Sequence, residues 1–400
     1  MKFNKWTLGL AALGVVSLAS AARADEAKLS QVQTALSNTT LSGYVDTSMQ
    51  YNPTGSGSIA PVAFNPNTKA NGFNLNVIDI ALDKPEDEGP WASGYHVELW
   101  FGPDASTLGT SLWNNTTAAS GLGTDAAIRQ AYITLRTPVG NGIDWKIGVF
   151  DTIIGYESTS SPLNPNYTHS YGYTMEPTTH TGVLATYKFC DALSVTAGIA
   201  DSKGAVINDR TPQQNGASDS FKTYLGSVSL TAPSSWGWAS GAALTAGVVN
   251  GDYSNGYNGN DATTSWYVGG TLPTPNSNLK VGASFDYETD YQYAGINGGG
   301  NPWALAFYVN FQASPKLSLN ARAEWAKDYL SSIAGIPVNT ENNAVALTGT
   351  IQYNLWANVL TRLEIRWDHA SNDIYGGNLS GGGTMQDNAV MIAAQAVYQF

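Results

Sequence analysis

The amino-acid sequence predicts an all-β protein: a closed, transmembrane, antiparallel up-and-down β-barrel of about 16 strands, with long extracellular loops and short periplasmic turns. Three observations predict this fold. Segments of about nine residues or more alternate apolar with polar or small side chains, long and short connections alternate along the chain, and only 12 % of the 400 residues are charged. A typical soluble domain carries about 25 % charged residues, whereas a lipid-facing surface must be nearly free of them.

The N-terminus has the pattern of a secretory signal peptide, which we assign to residues 1–24. Two lysines precede an apolar run over 6–18, and small residues around Ala24 form a cleavage site. We therefore expect export, cleavage near Ala24 and localisation in the bacterial outer membrane. Residues 25–38 follow as a short periplasmic segment, the one part of the chain where we expect a helix. Residues 39–400 form the predicted barrel.

The strands are predicted from a period of two in the side-chain pattern. In 317–325 and 359–367, the odd positions are mostly apolar and the even positions are mostly polar or charged, which is typical of a strand with two different faces. A change of phase around 77–80 predicts a β-bulge or a misplaced strand. The sixteen predicted strands are 40–51, 72–84, 92–102, 127–137, 142–150, 179–189, 192–200, 219–231, 240–250, 264–272, 279–288, 303–313, 316–328, 343–353, 358–370 and 386–400.

The connections indicate how these strands are joined. Links after odd-numbered strands are long and rich in Gly, Asn, Ser and Thr, whereas links after even-numbered strands are short, such as 314–315 and 355–357. This alternation is typical of an outer-membrane barrel, with both chain termini at the periplasmic rim. Strands of about eleven residues, tilted by ~45°, span roughly 26 Å, close to the apolar band of about 25 Å. A soluble secreted β-solenoid is the alternative fold.

Aromatic residues fit the same prediction. Interfacial girdles require Trp and Tyr side chains at headgroup depth, and a buried soluble core is the alternative for these residues. At the C-terminus, Tyr398 and Phe400 share one face of the last strand, a pattern typical of the segment that the barrel-assembly machinery binds. The tryptophans placed near strand ends or on the outward phase are Trp91, Trp145, Trp236, Trp238, Trp266, Trp303, Trp325, Trp356 and Trp367.

Two blocks of sequence carry a resemblance to a known family. The segments GVFDTIIGYE (148–157) and NPNYTHSYGYTMEPTTHTGV (164–183) resemble the OmpL-like β-barrel porin family, and the stretches LSGYVDTSMQYN and FNLNVIDIALDKP support it. The resemblance spans nearly the whole mature chain. It implies an outer-membrane barrel with a pore role, and it implies no particular solute and no ligand residues.

The third long loop, residues 151–177, is the predicted pore constriction, because such a loop often folds into the lumen of porin-like barrels. It carries three acidic residues, Asp151, Glu157 and Glu176. It also carries tyrosines that either stack on solute rings or pack against one another. These tyrosines are Tyr156, Tyr167, Tyr171 and Tyr173.

Charged residues of mixed sign occupy inward phases of several strands. Two interpretations of these residues are open, and both can hold at once. The first is a ladder of ion pairs that stiffens the wall, since strands 13 and 15 are separated by a single strand. The second is a selectivity arc that faces the acidic loop and discriminates solutes by charge. The residues of this predicted pore wall are Lys146, Arg136, Arg322, Glu324, Arg362, Glu364, Arg366 and Asp368.

The predicted function is an outer-membrane porin that passes small hydrophilic solutes by diffusion, since sixteen strands leave room for an aqueous channel. The alternatives are a surface-binding or envelope-structural barrel and, with His369 as the candidate, an outer-membrane esterase or phospholipase. The net charge of −12 and the absence of a basic stripe argue against nucleic-acid binding. We expect no enzymatic activity, no cofactor and no metal, although oxygen-rich loop 250–261 is a weak candidate for Ca²⁺. The expected partners are outer-membrane lipid, small solutes and two further copies in a homotrimer.

Overall fold

Sixteen long antiparallel strands form one closed sheet. The computed structural model describes residues 32–33, 38–55, 62–87, 89–110, 126–209, 222–252, 262–289, 301–327, 343–376 and 385–400. The strands are β1 (Thr40–Tyr51), β2 (Gly72–Lys84), β3 (Ser93–Phe101), β4 (Ala126–Thr137), β5 (Ile143–Asp151), β6 (Thr179–Cys190), β7 (Leu193–Ala200), β8 (Thr223–Thr231), β9 (Ala243–Gly251), β10 (Thr263–Pro273), β11 (Leu279–Thr289), β12 (Trp303–Gln312), β13 (Leu317–Lys327), β14 (Asn343–Trp356), β15 (Val359–Ala370) and β16 (Asn388–Gln399).

Each strand pairs with its neighbours in the chain, and the last strand pairs with the first. The β16–β1 register runs from Ile392 opposite Tyr51 to Gln399 opposite Tyr44. Beyond it, the backbone N–H of Phe400 donates to the carbonyl of Gly43 at 3.0 Å. Because closure pairs every edge strand, the backbone groups within the sheet are satisfied as a membrane interior requires. The predicted closed up-and-down barrel of sixteen strands is confirmed.

Side chains alternate between the two faces of the sheet, as the period of two predicted. In β13, Arg322 and Glu324 are buried on the inner face, whereas the neighbouring Trp325 is 50 % exposed on the outer face. In β15, Leu363 and Ile365 are exposed on the outer face. The low overall charge follows from this arrangement, because a lysine or arginine at the lipid-facing midplane costs about 2–4 kcal/mol.

Two β-bulges change the phase of the strands near the N-terminal end of the barrel. In β2, Asn76 is the extra residue opposite the Asp46–Thr47 step of β1, one position before the phase change predicted at 77–80. In β4, Arg129 is the extra residue, because Gln130 pairs with Glu98 while the next pair along is Ile128 with Leu99. A bulge re-aims the side chain at that position, and here it turns Arg129 inward.

Tryptophans mark both rims of the barrel. None of the nine predicted interfacial tryptophans is buried, so the alternative of a soluble core is wrong. Trp236, Trp238 and Trp356 lie at the rim that carries the short turns, and are 55–67 % exposed. At the opposite rim, Trp303 and Trp325 contact edge to face at 5.1 Å between ring centroids. Two such bands match the headgroup regions of a bilayer.

Helical structure is sparse. In the N-terminal segment where a helix was expected, Val32–Gln33 instead pairs as a short strand with β1, and residues 25–31 and 34–37 lie outside the described part. A second short pair joins Tyr375–Gly376 to Met385–Gln386. Among the described residues, no helix is long and apolar enough to span a membrane. The signal peptide and most of loop 250–261 also lie outside the described residues.

Candidate functional site

The link between β5 and β6, residues 152–178, lies inside the barrel, and we call it the lumen loop. On one side, the Tyr167 hydroxyl donates to Ser48 of β1 at 3.0 Å. On another, the side-chain amide of Asn166 donates to Thr350 of β14 at 2.7 Å. The apolar start of the loop packs with inward-facing residues of β6, β8 and β9 in one buried cluster. The loop therefore crosses the lumen and contacts several walls.

Short local motifs give the lumen loop its shape. A helix α1 (Tyr171–Met175) begins after Ser170, whose side chain accepts a hydrogen bond from the Tyr173 N–H at 3.1 Å, a common N-terminal cap. Upstream, the Asn164 amide bonds both the N–H and the carbonyl of Ser158, at 2.7 and 2.6 Å. These side chains satisfy backbone groups that have no neighbouring strand.

Arg322 of β13 is the centre of the contact between the loop and the wall. Its guanidinium donates to Glu157 of the loop at 2.8 Å and to Glu324 of its own strand at 2.7 Å. It also donates to the backbone carbonyls of Thr168 at 2.6 Å and His169 at 3.0 Å. One wall cation thus binds two carboxylates and two carbonyls, which fixes the loop by charge-assisted hydrogen bonds.

Arg366 of β15, two strands further around the barrel, makes a similar set of contacts. It pairs with Asp368 at 2.8 Å and with Glu324 of β13 at 3.1 Å. It also donates to the His169 carbonyl at 3.0 Å, and its guanidinium lies 5.1 Å from the centre of the Tyr171 ring. The Tyr171 hydroxyl donates to Asp368 at 2.5 Å. The helix α1 is therefore held against β13 and β15.

Glu364 and Arg362 of β15 complete the contact. Glu364 accepts from the backbone N–H groups of Tyr167 at 2.6 Å and Thr168 at 3.0 Å. Arg362 donates to the carbonyls of Ser161 at 3.1 Å and Asn164. The acidic Glu364 therefore binds backbone N–H groups of the loop, and the basic Arg362 binds backbone carbonyls.

The two interpretations of the wall charges predict different exposures for the arginines. Arg322, Arg362 and Arg366 are only 0–3 % exposed, and Glu324 joins β13 to β15 across the intervening strand through its bonds to Arg322 and Arg366. This geometry favours the ion-pair ladder, extended by the loop, over an arc of arginines open to solutes. The selectivity of the pore stays a prediction.

Arg129 is a site residue that the sequence analysis missed. It forms a two-point contact with Asp151, the last residue of β5 before the lumen loop, and lies 5.9 Å from the ring centre of Trp100. It is 1 % exposed. Counting phase along β4 places this side chain on the lipid side, and only the bulge turns it into the lumen. The change of phase in the apolar–polar alternation within 126–137 is the sequence signal that could have indicated this bulge.

Two predicted wall residues lie apart from the loop contact. Arg136 pairs with Asp144 at 3.0 Å, near the rim of short turns. The Lys146 ammonium lies over the Tyr132 ring, 4.7 Å from its centre. The predicted wall is thus split: its members on β13 and β15 bind the lumen loop, whereas those on β4 and β5 do not contact it in this way.

The loop tyrosines pack against protein groups. Tyr156 stacks on Tyr308 at 4.1 Å between ring centroids, and Tyr173 stacks on His169 at 4.0 Å. Together with Tyr171 beneath Arg366, three of the four predicted tyrosines have a ring face covered by protein. Stacking on solute rings stays a prediction, and this packing accounts for their presence without it.

The three predicted loop acids have separate surroundings. Burial alone would raise the pKa of Glu157, but the Arg322 guanidinium and the His169 ring lower it to about 2. Asp151 is paired with Arg129. Burial raises the pKa of Glu176 well above its usual range, and Asp286 of β11 raises it further. Glu157 is therefore a fixed anion, whereas Glu176 faces another acid.

The link between β1 and β2 contacts the lumen loop, and it also pairs with the link that follows β3. Lys69 pairs with Asp104 at 2.5 Å, and both side chains are buried. The N–H of Ala63 donates to Thr174 of α1 at 3.1 Å, and the Phe64 ring lies 5.4 Å from that of His169. Both links lack strand periodicity, and no sequence pattern indicated these contacts.

Comparison with known proteins agrees with this architecture. The sequence profile of the family described as "Putative beta-barrel porin-2, OmpL-like" matches residues 38–400. Among curated proteins, none matches this chain significantly.

Solved structures with the same fold are outer-membrane channels and porins of low sequence identity. The outer membrane channel DcaP of Acinetobacter baumannii is 15 % identical, with a TM-score of 0.60, covering 93 % of this chain and 100 % of that one. Salmonella typhi OmpF in complex with daunomycin is 12 % identical, with a TM-score of 0.58, covering 92 % and 100 %. An anion-selective porin from Comamonas acidovorans is 12 % identical, with a TM-score of 0.55, covering 90 % and 99 %. The family match and the shared fold establish that this chain is an outer-membrane porin channel and belongs to the OmpL-like beta-barrel porin-2 family.

Proposed function

We propose that the protein passes small hydrophilic solutes by passive diffusion and that the lumen loop sets the narrowest point of the path. The observation that carries this proposal is the attachment of the loop to β13 and β15 through Arg322, Arg366 and Glu364. A sixteen-stranded barrel encloses an aqueous lumen. A loop fixed across that lumen narrows it without blocking it.

The wall formed by β6 to β9 lies across the barrel from β13 and β15. There the inward side chains of β6 to β9 include small hydroxyl residues, and two pairs of hydroxyls bond each other at 2.9 and 3.0 Å. Such groups offer hydrogen bonds to water and polar solutes without filling the lumen. The hydroxyl groups of this wall carry no charge, in contrast to the arginines and carboxylates with which β13 and β15 bind the loop. The hydroxyl residues in question are Thr186, Thr196, Ser227, Ser229 and Thr245.

Recording from purified protein in planar bilayers tests the proposal. We expect stepwise conductance increments in KCl, and liposome swelling with small sugars that falls as the solute grows. Protein refolded in detergent but heat-denatured before reconstitution is the control. Folded barrels that give neither current nor swelling would refute the channel proposal.

The targeting and assembly predictions are part of the same proposal. We infer cleavage near Ala24, recognition of the last strand by the assembly machinery through Tyr398 and Phe400, and a homotrimer. Tyr398 is 49 % exposed on the outer face, where another protein can contact it. Vibrio cholerae OmpT, which shares the fold at 14 % identity and a TM-score of 0.55, is described in a trimer form. N-terminal sequencing and electrophoresis with and without heating test these inferences.

The enzymatic alternative receives less support than the channel. His369, the candidate for an outer-membrane hydrolase, stacks on Trp367 with 6.0 Å between ring centroids and lies 3.9 Å from Asp387. This arrangement suits a residue of the aromatic band at the membrane interface. We expect no lipid hydrolysis and no serine labelling, and either activity would reopen the alternative.

A further inference from the structure

The outer surface of the barrel carries an apolar groove over β8 to β12, next to the rim of short turns. The groove has a volume of about 920 Å³, within the range of roughly 300–1,000 Å³ of pockets that hold small organic ligands. None of the described residues that line it is charged. The large side chains around it include Trp236, Leu244, Val268, Leu272, Phe285 and Phe307.

Two small residues form the floor of the groove. Gly270 of β10 pairs with Leu244 of β9 on one side and with Ala283 of β11 on the other. Ala283 in turn pairs with Phe307 of β12. Because paired residues of neighbouring strands point to the same face of a sheet, this row places two small residues between two large ones. The outer face is therefore depressed over β10 and β11, with Leu244 and Phe307 as its sides.

The floor and the inner end of the groove are fixed by the sheet. A methyl group on Gly270 would clash with the carbonyl oxygen of Ala243 on β9, so a larger residue requires a shift of the strands. Towards the middle of the barrel, Val268 pairs with Phe285, and Phe285 pairs with Leu305. These three larger side chains close the groove at that end.

The length of the groove matches one leaflet of a bilayer. β10 ends at Pro273 at the rim of short turns, and Val268 lies five residues before that end. Five residues of a strand tilted by ~45° span roughly 12 Å of depth, which is about half of the apolar band of about 25 Å. The groove therefore spans a single leaflet. The short turns make it the periplasmic leaflet.

The open end of the groove carries side chains that suit a lipid headgroup. The link between β8 and β9 packs beside β10, and its Trp236 lines the groove; tryptophan indoles favour headgroup depth. On one flank, Lys316 is exposed in the turn after β12. On the other, the exposed Asp191 precedes Ala192, which lines the groove. A cation and an anion thus flank the open end and complement the phosphate and the ammonium group of a zwitterionic phospholipid.

A flexible chain fits this groove better than a second barrel does. The outer surface of a barrel is convex, so two copies in contact touch through projecting side chains and leave a depression unfilled. An unfilled apolar depression loses dispersion contacts, whereas acyl chains adapt to its shape. The groove is also continuous with the lipid-facing surface of the sheet, so the chains of the surrounding bilayer reach it directly.

We propose that the groove over β8 to β12 binds one phospholipid of the periplasmic leaflet, with its acyl chains on Gly270 and Ala283 and its headgroup beside Trp236. The bound lipid completes the outer surface of the barrel where the sheet lacks large side chains. This inference concerns the outer face and goes beyond the proposed function, because it does not depend on any solute path through the lumen.

Photolabelling in a bilayer tests the inference. The purified barrel is reconstituted in liposomes of phosphatidylethanolamine and phosphatidylglycerol, in which some phosphatidylethanolamine carries a diazirine in the middle of one acyl chain. Labelled peptides are then identified by mass spectrometry. We expect the labelling of β10 to β12 to exceed that of β14 and β15 roughly tenfold, the preference given by about two additional buried methylene groups.

Two matched variants separate the groove from the rest of the outer face. Ala283→Leu fills the floor with an apolar side chain and should lower the labelling of β10 to β12 roughly tenfold. Ala197→Leu makes the same change at an exposed position of β7 outside the groove, and should leave the labelling unchanged. Heat-modifiable electrophoretic mobility shows that both barrels fold. If Ala283→Leu does not fold, Phe307→Ala removes one side of the groove and should also lower the labelling.

Labelling spread evenly around the barrel, or equal labelling of the groove in wild type and Ala283→Leu, would overturn the proposal. A groove that is labelled only after an oligomer is dissociated would overturn it as well, because a second copy would then be the occupant. Groove labelling in a wild-type protein that gives no conductance would support the lipid site and count against the channel proposal alone.

Discussion

Replacing Arg322 by methionine removes the side chain that joins the lumen loop to β13. The change deletes hydrogen bonds to Glu157, Glu324 and the carbonyls of Thr168 and His169, which range from 2.6 to 3.0 Å. It leaves both carboxylates buried without this partner. Breaking a buried ion pair by removing one member costs about 3–5 kcal/mol.

That cost falls on the docking of the loop, because the backbone pairing of β13 with its neighbours does not depend on the side chain. A loss of about 3–5 kcal/mol shifts the ratio of docked to released loop by a factor of roughly 10² to 5 × 10³. Contacts through Arg366 and Glu364 remain, so we expect a loop that fluctuates between positions. The measurable result is a higher mean conductance with increased open-channel noise.

Single-channel recording of Arg322→Met against wild type is the assay. Arg136→Met is the matched control, because its pair with Asp144 lies near the rim of short turns, away from the loop. Heat-modifiable electrophoretic mobility shows that both barrels fold. Conductance and noise identical to those of wild type in Arg322→Met would show that Arg322 does not hold the loop in place, and the reasoning from the buried ion pairs would be wrong.

Other changes test the remaining contacts of the loop. The pKa of Glu157 is lowered to about 2. The stabilisation of the docked loop by this carboxylate is therefore fully present above the ordinary glutamate pKa of about 4.3 and is lost as the pH falls towards 2. We expect the conductance state seen at pH 7 to persist at about pH 3. Arg129→Met leaves Asp151 without this partner, and should increase open-channel noise while the thermal stability of the barrel changes little. Gly172→Ala places a methyl group against Asp286 and should displace α1, raising conductance. Unchanged single-channel traces in the last two variants would contradict the positions of Asp151 and α1.

The barrel could be predicted because its physical requirements repeat along the sequence. A lipid-facing side chain must be apolar at every second position, so segments such as 317–325 reveal both the strand and its two faces. The inward phases of Arg322, Arg362 and Arg366 followed directly. A bulge interrupts this counting, which is why Arg129 was assigned no role although it is in a predicted strand.

The contacts of the lumen loop could not be predicted in the same way. Glu364 binds Thr168 across 196 positions of sequence, and neither residue carries a local signal for the other. The acids of the loop were identified, but their partners depend on which wall the loop reaches. Glu157 and Glu176 look alike in the sequence; the structure places one against an arginine and the other against an acid.

The position of the lumen loop has a mechanical consequence. The loop belongs to the first half of the chain, between β5 and β6, and its firmest contacts are with β13 and β15 of the second half. It therefore connects distant parts of the cylinder across the diameter, where the sheet alone connects them only around the circumference. A hollow tube flattens easily under lateral pressure, and a cross-brace of buried ion pairs opposes that flattening. Release of the loop should thus make the barrel softer as well as wider.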